Sequence, residues 1–273
     1  IAKQIDDINK GGIPILNNKI KRFILLFFES VISLPFLPII LVIRIISPFK
    51  LVRIGKLRSD RIGHFSYEPD IYLLERLIGK HNKKTIDLFY CLGRVCNEQL
   101  KIMLERRLFI FSKYFFLLDR ANRILPGATK HIVPFCELNH EDPISLQDKF
   151  GPQLSFTLEE EELGQKELKL LGIDPKSQFI CFHSRDSNYL ANEFSTIDYS
   201  EHDYRDSSIQ NYIPACQSMV QNDYYAIRMG SDVKEALKTS NKKIIDYAKK
   251  YRTDFMDIYL PANCQFFLGT CSG

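Results

Sequence analysis

The sequence predicts an α/β protein built from two consecutive Rossmann-like lobes, the second truncated, preceded by a membrane-associated helical segment. Three observations carry this expectation. From Leu51 onward, strand-like runs alternate with helix-like ones, the pattern of a parallel sheet covered by helices. Residues 126–155 hold four of the chain's twelve prolines and little periodicity, which reads as a crossing between two halves. Ahead of both lies an apolar run over residues 23–46 whose only charges are Glu29 and Arg44. The expected divisions are therefore a helical segment over 1–50, a first lobe over 51–150 and a second over 151–273.

The apolar run is long enough to cross roughly 30 Å of hydrocarbon as one helix. Lys19, Lys21 and Arg22 precede it, and Lys50 and Arg53 follow. Pro35 and Pro38 are expected to break the helix midway, Glu29 is costly in lipid, and positive charge flanks both ends instead of one. A kinked hairpin dipping into the cytoplasmic leaflet, a monotopic anchor, satisfies all three. A true span and a buried helix pair are the alternatives. No small-residue cleavage site follows, so a cleaved signal peptide is not expected. The expected location is the cytoplasmic face of the inner membrane, and the membrane surface is an expected partner.

Residues 51–57 read as the first strand, 68–78 as a helix with Ile71, Leu74 and Ile78 on one face, and 85–92 as the next strand. A helix over 97–106, a short strand over 108–111 and a helix over 116–125 follow. Thr157 opens the second lobe as an N-cap. Glu160 three residues on makes a capping box, the acids over 159–162 complement the helix N-terminus, and Gly172 closes the helix, so this acidic run is structural. Next come a strand over 178–182, a helix over 208–220 with Ile209, Tyr212, Ile213, Cys216 and Val220 on its packed face, and a strand over 224–229. A short apolar segment over 244–247, a helix over 255–262 and a strand over 265–268 complete the series. The chain starts at Ile1 and ends at Gly273 just past that strand, inside a Gly/Ser turn, which reads as a fragment lacking its C-terminal elements.

With 273 residues and 45% apolar content the chain can bury sizeable cores. A net charge of +4 from 33 acids and 37 bases, without a long basic tract, argues against nucleic acid as a partner. Seven cysteines, odd in number, mostly in apolar runs and without a C-x-x-C pair, read as free thiols of a reducing compartment.

Polar or glycine-bearing residues follow each principal strand of the second lobe. His183, Arg185 and Asp186 follow its first strand, Arg228 and Gly230 close its second, and Gly269, Thr270, Ser272 and Gly273 follow its last. Strand C-termini of a parallel sheet share one edge, so these groups are expected to converge. A guanidinium offers bidentate bonds to a phosphate, and a Gly-Thr-x-Ser-Gly turn offers hydroxyls and backbone N–H groups to another. Arg185 and Asp186 as a local ion pair, or Arg228 paired with Asp232, is the purely structural alternative. The long connection over 187–205 ends in His202-Asp203-Tyr204-Arg205-Asp206, where Asp206 or Asp203 is the candidate base with His202 behind it. Asp206 or Ser207 as a helix N-cap explains part of that cluster structurally.

In the first lobe, Arg61, Gly63 and His64 occupy the turn after the opening strand and are candidates for an acceptor-binding wall, against the plainer account of a solvated turn. A G-x-G-x-x-G fingerprint is absent. Metal chemistry is not expected: H-E-x-x-H is absent, and Glu201-His202-Asp203 is too weak an acid-x-acid triplet to clamp a divalent ion. Gly269-Thr270-Cys271-Ser272-Gly273 formally matches a nucleophile elbow with Cys271 as nucleophile, a lesser alternative.

The segments FICFHSRDSNYL from Phe179, HDYRDSSIQNYIPA from His202, YAIRMG from Tyr225, IDYA from Ile245 and MDIYLPANCQFFLGTCSG from Met256 resemble a bacterial family of glycosyltransferases. RIGHF from Arg61 resembles its N-terminal half. More distantly, the H-x-R pattern at His183 and Arg185 is similar to that of GT-B type fucosyltransferases. The resemblance implies two GT-B lobes, an arginine gripping the donor diphosphate at Arg185, a similar part for Thr270 and Ser272, and no required metal or other cofactor. The acid of the H-x-R-x-x-D pattern falls at Asn188, so Asp186 or Asp206 must substitute. The expected activity is transfer of a sugar from a nucleotide-sugar donor to a glycan or lipid-linked acceptor, such as a surface polysaccharide. A membrane-associated protein that only binds a nucleotide sugar or another anion is the rival from a different class.

Overall fold

The computed structural model describes residues 2–82, 84–135, 143–193 and 200–270. The chain divides into two compact units: Ile1–Val95 with Leu104–Gln153, and Cys96–Met103 with Leu154–Gly273. Each holds a parallel sheet, so the protein is of mixed α/β class.

The first unit opens with α1 (Ala2–Ser33), a 3₁₀ turn (Leu34–Phe36) and α2 (Leu37–Ile46). The hairpin expected at Pro35 and Pro38 is not formed. Each proline falls in the first turn of a new helical segment, where its missing N–H breaks no bond. The backbone therefore stays helical from Lys19 to Ile46. That stretch is long and apolar enough to cross a membrane.

Three parallel strands follow, β1 (Leu51–Leu57), β2 (Thr85–Cys91) and β3 (Phe109–Phe111), side by side in that order. On its other side β1 meets Ile132 through a parallel bridge at Ile54. One face of the sheet packs Ile54 and Tyr90 against Ile40 of α2 and against Leu118 and Ala121 of α5 (Phe116–Ile124). On the other face the Tyr72 ring of α3 (Ile62–Leu77) meets the Phe89 ring edge-on. The α3 helix starts six residues before the expected Glu68, because the chain carries it through Pro69. Helix α4 (Glu98–Glu105) lies between β2 and β3 in sequence, and α6 (Pro143–Phe150) forms inside the stretch expected to be irregular.

The second unit begins with α7 (Leu158–Leu170), whose capping box between Thr157 and Glu160 is formed on both sides. Gly172, in the left-handed conformation at φ 80°, follows its last turn. Gly164 lets the helix approach the Tyr259 ring so closely that an added Cβ would clash with it. The sheet comprises β4 (Phe179–His183), β5 (Tyr225–Arg228), β6 (Ile244–Ile245) and β7 (Phe267–Gly269), all parallel, in the order β6-β5-β4-β7. Cys181 and Ile227 pack toward Leu168 of α7 and Met256 and Leu260 of α11 (Asp254–Asn263). Ile180, Phe182 and Ala226 pack on the opposite face with Cys216 of α9 (Ile213–Gln221). Burial on both faces explains why β4 reads as an unbroken apolar run rather than an alternating one. Two short helices, α8 (Asn188–Glu193) and α10 (Tyr247–Lys250), complete this unit.

A buried ion pair stands at the start of the strands of the first unit. Arg53 and Asp87 are register partners on β1 and β2 and bond at 2.6 and 2.7 Å through both carboxylate oxygens. The Tyr72 hydroxyl donates to Asp87, Arg76 reaches it at 3.1 Å, and His81 links Arg53 to Glu75. Burial alone would raise the Asp87 carboxyl, but the hydrogen bonds from Arg53 and Tyr72 and the nearby guanidinium charges hold it below its usual range. The pair thus contributes stability above pH about 4 that is lost as acid protonates the carboxylate. Asp87→Asn should cost about 3–5 kcal/mol by leaving Arg53 buried without a counter-charge, read as a lower denaturant midpoint at neutral pH. A midpoint within experimental error of the parent protein would refute this assignment.

Candidate functional site

In the second sheet the chain moves outward from β4 through β5 to β6, and β7 then returns to the opposite side of β4. The gap between the C-terminal ends of β4 and β7 is a topological switch point, the place where open α/β sheets hold ligands. His183 is the last residue of β4 and pairs with Gly269 of β7. An added Cβ on Gly269 would meet the His183 carbonyl oxygen at 2.6 Å, so a glycine is required for this approach. Just beyond, the Arg185 backbone N–H donates to the Thr270 hydroxyl at 2.8 Å. Arg185 and Thr270 are thereby joined at the switch point.

The Arg185 side chain is buried and forms an ion pair with Asp206. Neither structural alternative drawn from the sequence is formed. Asp186 does not pair with Arg185: its oxygens accept the backbone N–H groups of Asn188 and Lys234, both at 3.0 Å. Arg228 does not pair with Asp232, which instead accepts from Asn188 and Asn192. Arg228 is fully buried, bonding to the Glu235 carbonyl at 2.5 Å and to Asp246 at 3.3 and 3.4 Å. Its guanidinium closes the loop after β5. Gly230 in that loop has φ 149°, and a Cβ added there would lie 2.6 Å from the Val233 side chain, so both conformation and space select glycine.

Ser184 bonds to the Ser207 carbonyl and, at 2.8 Å, to its hydroxyl. Ser207 N–H returns a bond to the Arg185 carbonyl at 3.1 Å. These bonds draw the segment after the long connection against the end of β4, which explains how Asp206 reaches Arg185. Beside them opens a cavity of about 460 Å³ lined by Ser184, Asp186, Ser187, Asp206, Ser207, Ser208, Ile209, Arg228, Lys234 and Glu235. Two bases, three acids and four hydroxyls give it a mixed lining. Ser207, at first only a candidate cap, is therefore also a cavity residue, as is Ser208. Their part depends on a contact from a segment more than 20 positions away, which no local pattern encodes.

The remaining candidates are distributed as follows. Arg61 is the N-cap of α3, and Gly63 and His64 lie within its first turn rather than in a loop. His64 bonds to Glu68 at 2.9 Å and Arg58 at 2.8 Å. Ser272, Gly273 and Cys271 lie outside the described residues, as does the side chain of His202. Among the described residues no three His, Cys, Asp or Glu side chains converge in a way that would hold a metal ion.

His183 joins the two strand ends. Its Nδ1 lies 3.0 Å from the Met229 carbonyl oxygen, an acceptor, so Nδ1 carries the proton and Nε2 is the acceptor nitrogen of the neutral ring. Burial lowers its pKa below the ordinary 6.5 despite that bond and the nearby Asp186 charge. Unfolded chains take up this proton near pH 6.5 while the folded protein resists it, so stability is present above that pH and falls as acid is added. Denaturant midpoints at pH 7 and 5 should separate less in His183→Gln than in the parent protein. An acid dependence unchanged by the substitution would sink this account.

No family model, no curated protein and no solved structure matches the chain.

Proposed function

We propose that the protein is a membrane-associated glycosyltransferase of GT-B type, moving a sugar from a nucleotide-sugar donor to a surface-polysaccharide or related acceptor. The observation that carries this reading is the junction of Arg185 with Thr270 at the switch point of the second sheet. Through the Arg185 backbone N–H it brings together the two residues, Arg185 and Thr270, that the resemblance to glycosyltransferases assigns to the donor diphosphate. The 460 Å³ cavity beside them falls within the usual size of a small-ligand site.

In this reaction an acceptor hydroxyl oxygen forms a bond to the sugar's anomeric carbon while the bond from that carbon to the diphosphate breaks. The hydroxyl proton passes to a base, and the nucleoside diphosphate departs with the added negative charge. Arg185 would stabilise that charge as it develops, where electrostatic stabilisation counts most. Asp206 takes a different part from the base expected of it. Paired with Arg185, it is a positioning residue that holds the guanidinium at the strand end. His183, neutral and fixed by Met229, would present Nε2 as an acceptor to the donor. The two parallel sheets support a pair of Rossmann-like lobes. The apolar N-terminal helix supports a membrane location, which this reading assigns to the cytoplasmic face. The resemblance implies chemistry without a required metal.

A thermal-shift series with nucleoside diphosphates and their sugars tests the donor site. A ligand at a hundred times its dissociation constant stabilises the native state by about 2.7 kcal/mol, a shift of several degrees for a protein of this size. Arg185→Ala should fold and lose that shift, and the parent protein should release nucleoside diphosphate when given donor and acceptor. A shift retained in Arg185→Ala would overturn the donor site. Binding without release in the presence of acceptor glycans would favour a protein that only holds the nucleotide sugar.

A further inference from the structure

The apolar N-terminal segment separates its residues by polarity. Between Phe23 and Ile46 every exposed residue is apolar, among them Phe23, Leu25, Phe27, Phe28, Val42 and Ile45 at 57–73% exposure. The polar side chains in the same stretch are buried or half-buried, and each has a partner on the protein. Ser30 and Ser33 donate to the carbonyls of Leu26 and Ser30, both at 2.7 Å. Glu29 lies 3.9 Å from Arg120 of α5, and Arg120 also donates to the Leu26 carbonyl at 3.0 Å. Arg44 donates to the Asn122 side chain at 3.0 Å and to the Pro126 carbonyl. A surface whose exposed side chains are all apolar and whose polar side chains are each partnered suits hydrocarbon, where unsatisfied groups are costly.

These bonds also set the orientation. Leu26 and Arg44 are separated by 18 residues, about 27 Å along a helix, close to the thickness of a bilayer core. Both ends of that length are tied to the same short helix, α5, which carries Asp119, Arg120, Asn122 and Arg123. A transmembrane course would pull this polar helix into hydrocarbon or break its bonds to α1 and α2. A course along the membrane plane keeps all of them and immerses only the apolar side.

We propose that α1 and α2 form an in-plane docking face for an anionic bilayer, inserted along one side to a uniform shallow depth. This rests on the membrane association proposed above and is independent of the transferase reading. Charge complementarity selects the occupant. Lys21, Arg22 and Lys50 are exposed at the two ends of the apolar face, and the sole acid between Lys19 and Arg53, Glu29, is held by Arg120. A protein partner would require hydrogen bonds across its interface at about one per 100–200 Å², and this face offers no side-chain group to make them.

The absence of tryptophan gives a clean probe. Phe27→Trp and Ile45→Trp, prepared separately in the full chain at exposed positions, are mixed with vesicles of phosphatidylcholine with or without phosphatidylglycerol. Both indoles should shift to the blue and be quenched equally by shallow-brominated phosphatidylcholine. The triple variant Lys21→Gln, Arg22→Gln, Lys50→Gln should weaken binding to anionic vesicles about a hundredfold, at ~1 kcal/mol for each basic residue. Deep quenching of one indole and shallow quenching of the other would overturn the in-plane course while leaving membrane association intact. No blue shift with either vesicle would overturn membrane association itself, as would a blue shift seen only on self-association of the chain without lipid.

Discussion

Parallel strand pairing leaves all strand C-termini on one edge of a sheet, and in the second unit this constraint decides where chemistry can occur. β4 is its central element, paired on one side with β5 and on the other with β7. Because the chain fills one side of β4 before returning to the other, a gap opens at the strand ends. Ser184 and Arg185 arrive there from the end of β4, Ser207 from the far end of the long connection, and Thr270 from the end of β7. The apolar residues of β4, buried on both faces, fix the strand so that its polar end has a defined place.

Buried arginines recur in this protein, and their partners separate structural from functional roles. Arg53 bonds to Asp87 through both carboxylate oxygens within a network at the start of the strands of the first unit. Arg228 stands at the C-terminal edge of the second sheet and lines the cavity, and its guanidinium, held by Asp246 and the Glu235 carbonyl, closes the loop after β5. Arg185 has its counter-charge, Asp206, on a cavity wall. A buried cation requires a partner in every case, and of the three partnering carboxylates only Asp206 lines this cavity.

The same rule governs the N-terminal helices. A carboxylate and a guanidinium in an apolar run are costly in lipid when unpartnered. Here Arg120 and Asn122, both on α5, receive them. Helix α5 thus supports the packed side of α1 and α2, and its Leu118 and Ala121 join Ile40 in the core of the first unit. The apolar segment is therefore part of a folded unit, with its remaining side open.

Most of the elements were legible in the sequence because they obey local rules. The alternation of apolar runs marked six of the seven strands, β6 having read only as a short apolar segment, and Thr157, Glu160 and Gly172 bounded α7 through capping chemistry confined to one helix. The start of α3 falls six residues before the expected one, because packing of Phe65 and Ile71 in the core carries the helix through Pro69. The prolines at 35 and 38 misled, since their effect depends on which helical turn they enter. The sequence by itself determined the class of the fold and the polar residues at its strand ends, both consequences of near-neighbour patterning. Only the tertiary structure decided the charged partners of Arg185, Arg228 and Glu29, because each lies at least 18 residues away and a charge's partner is chosen by burial and geometry rather than by spacing along the chain.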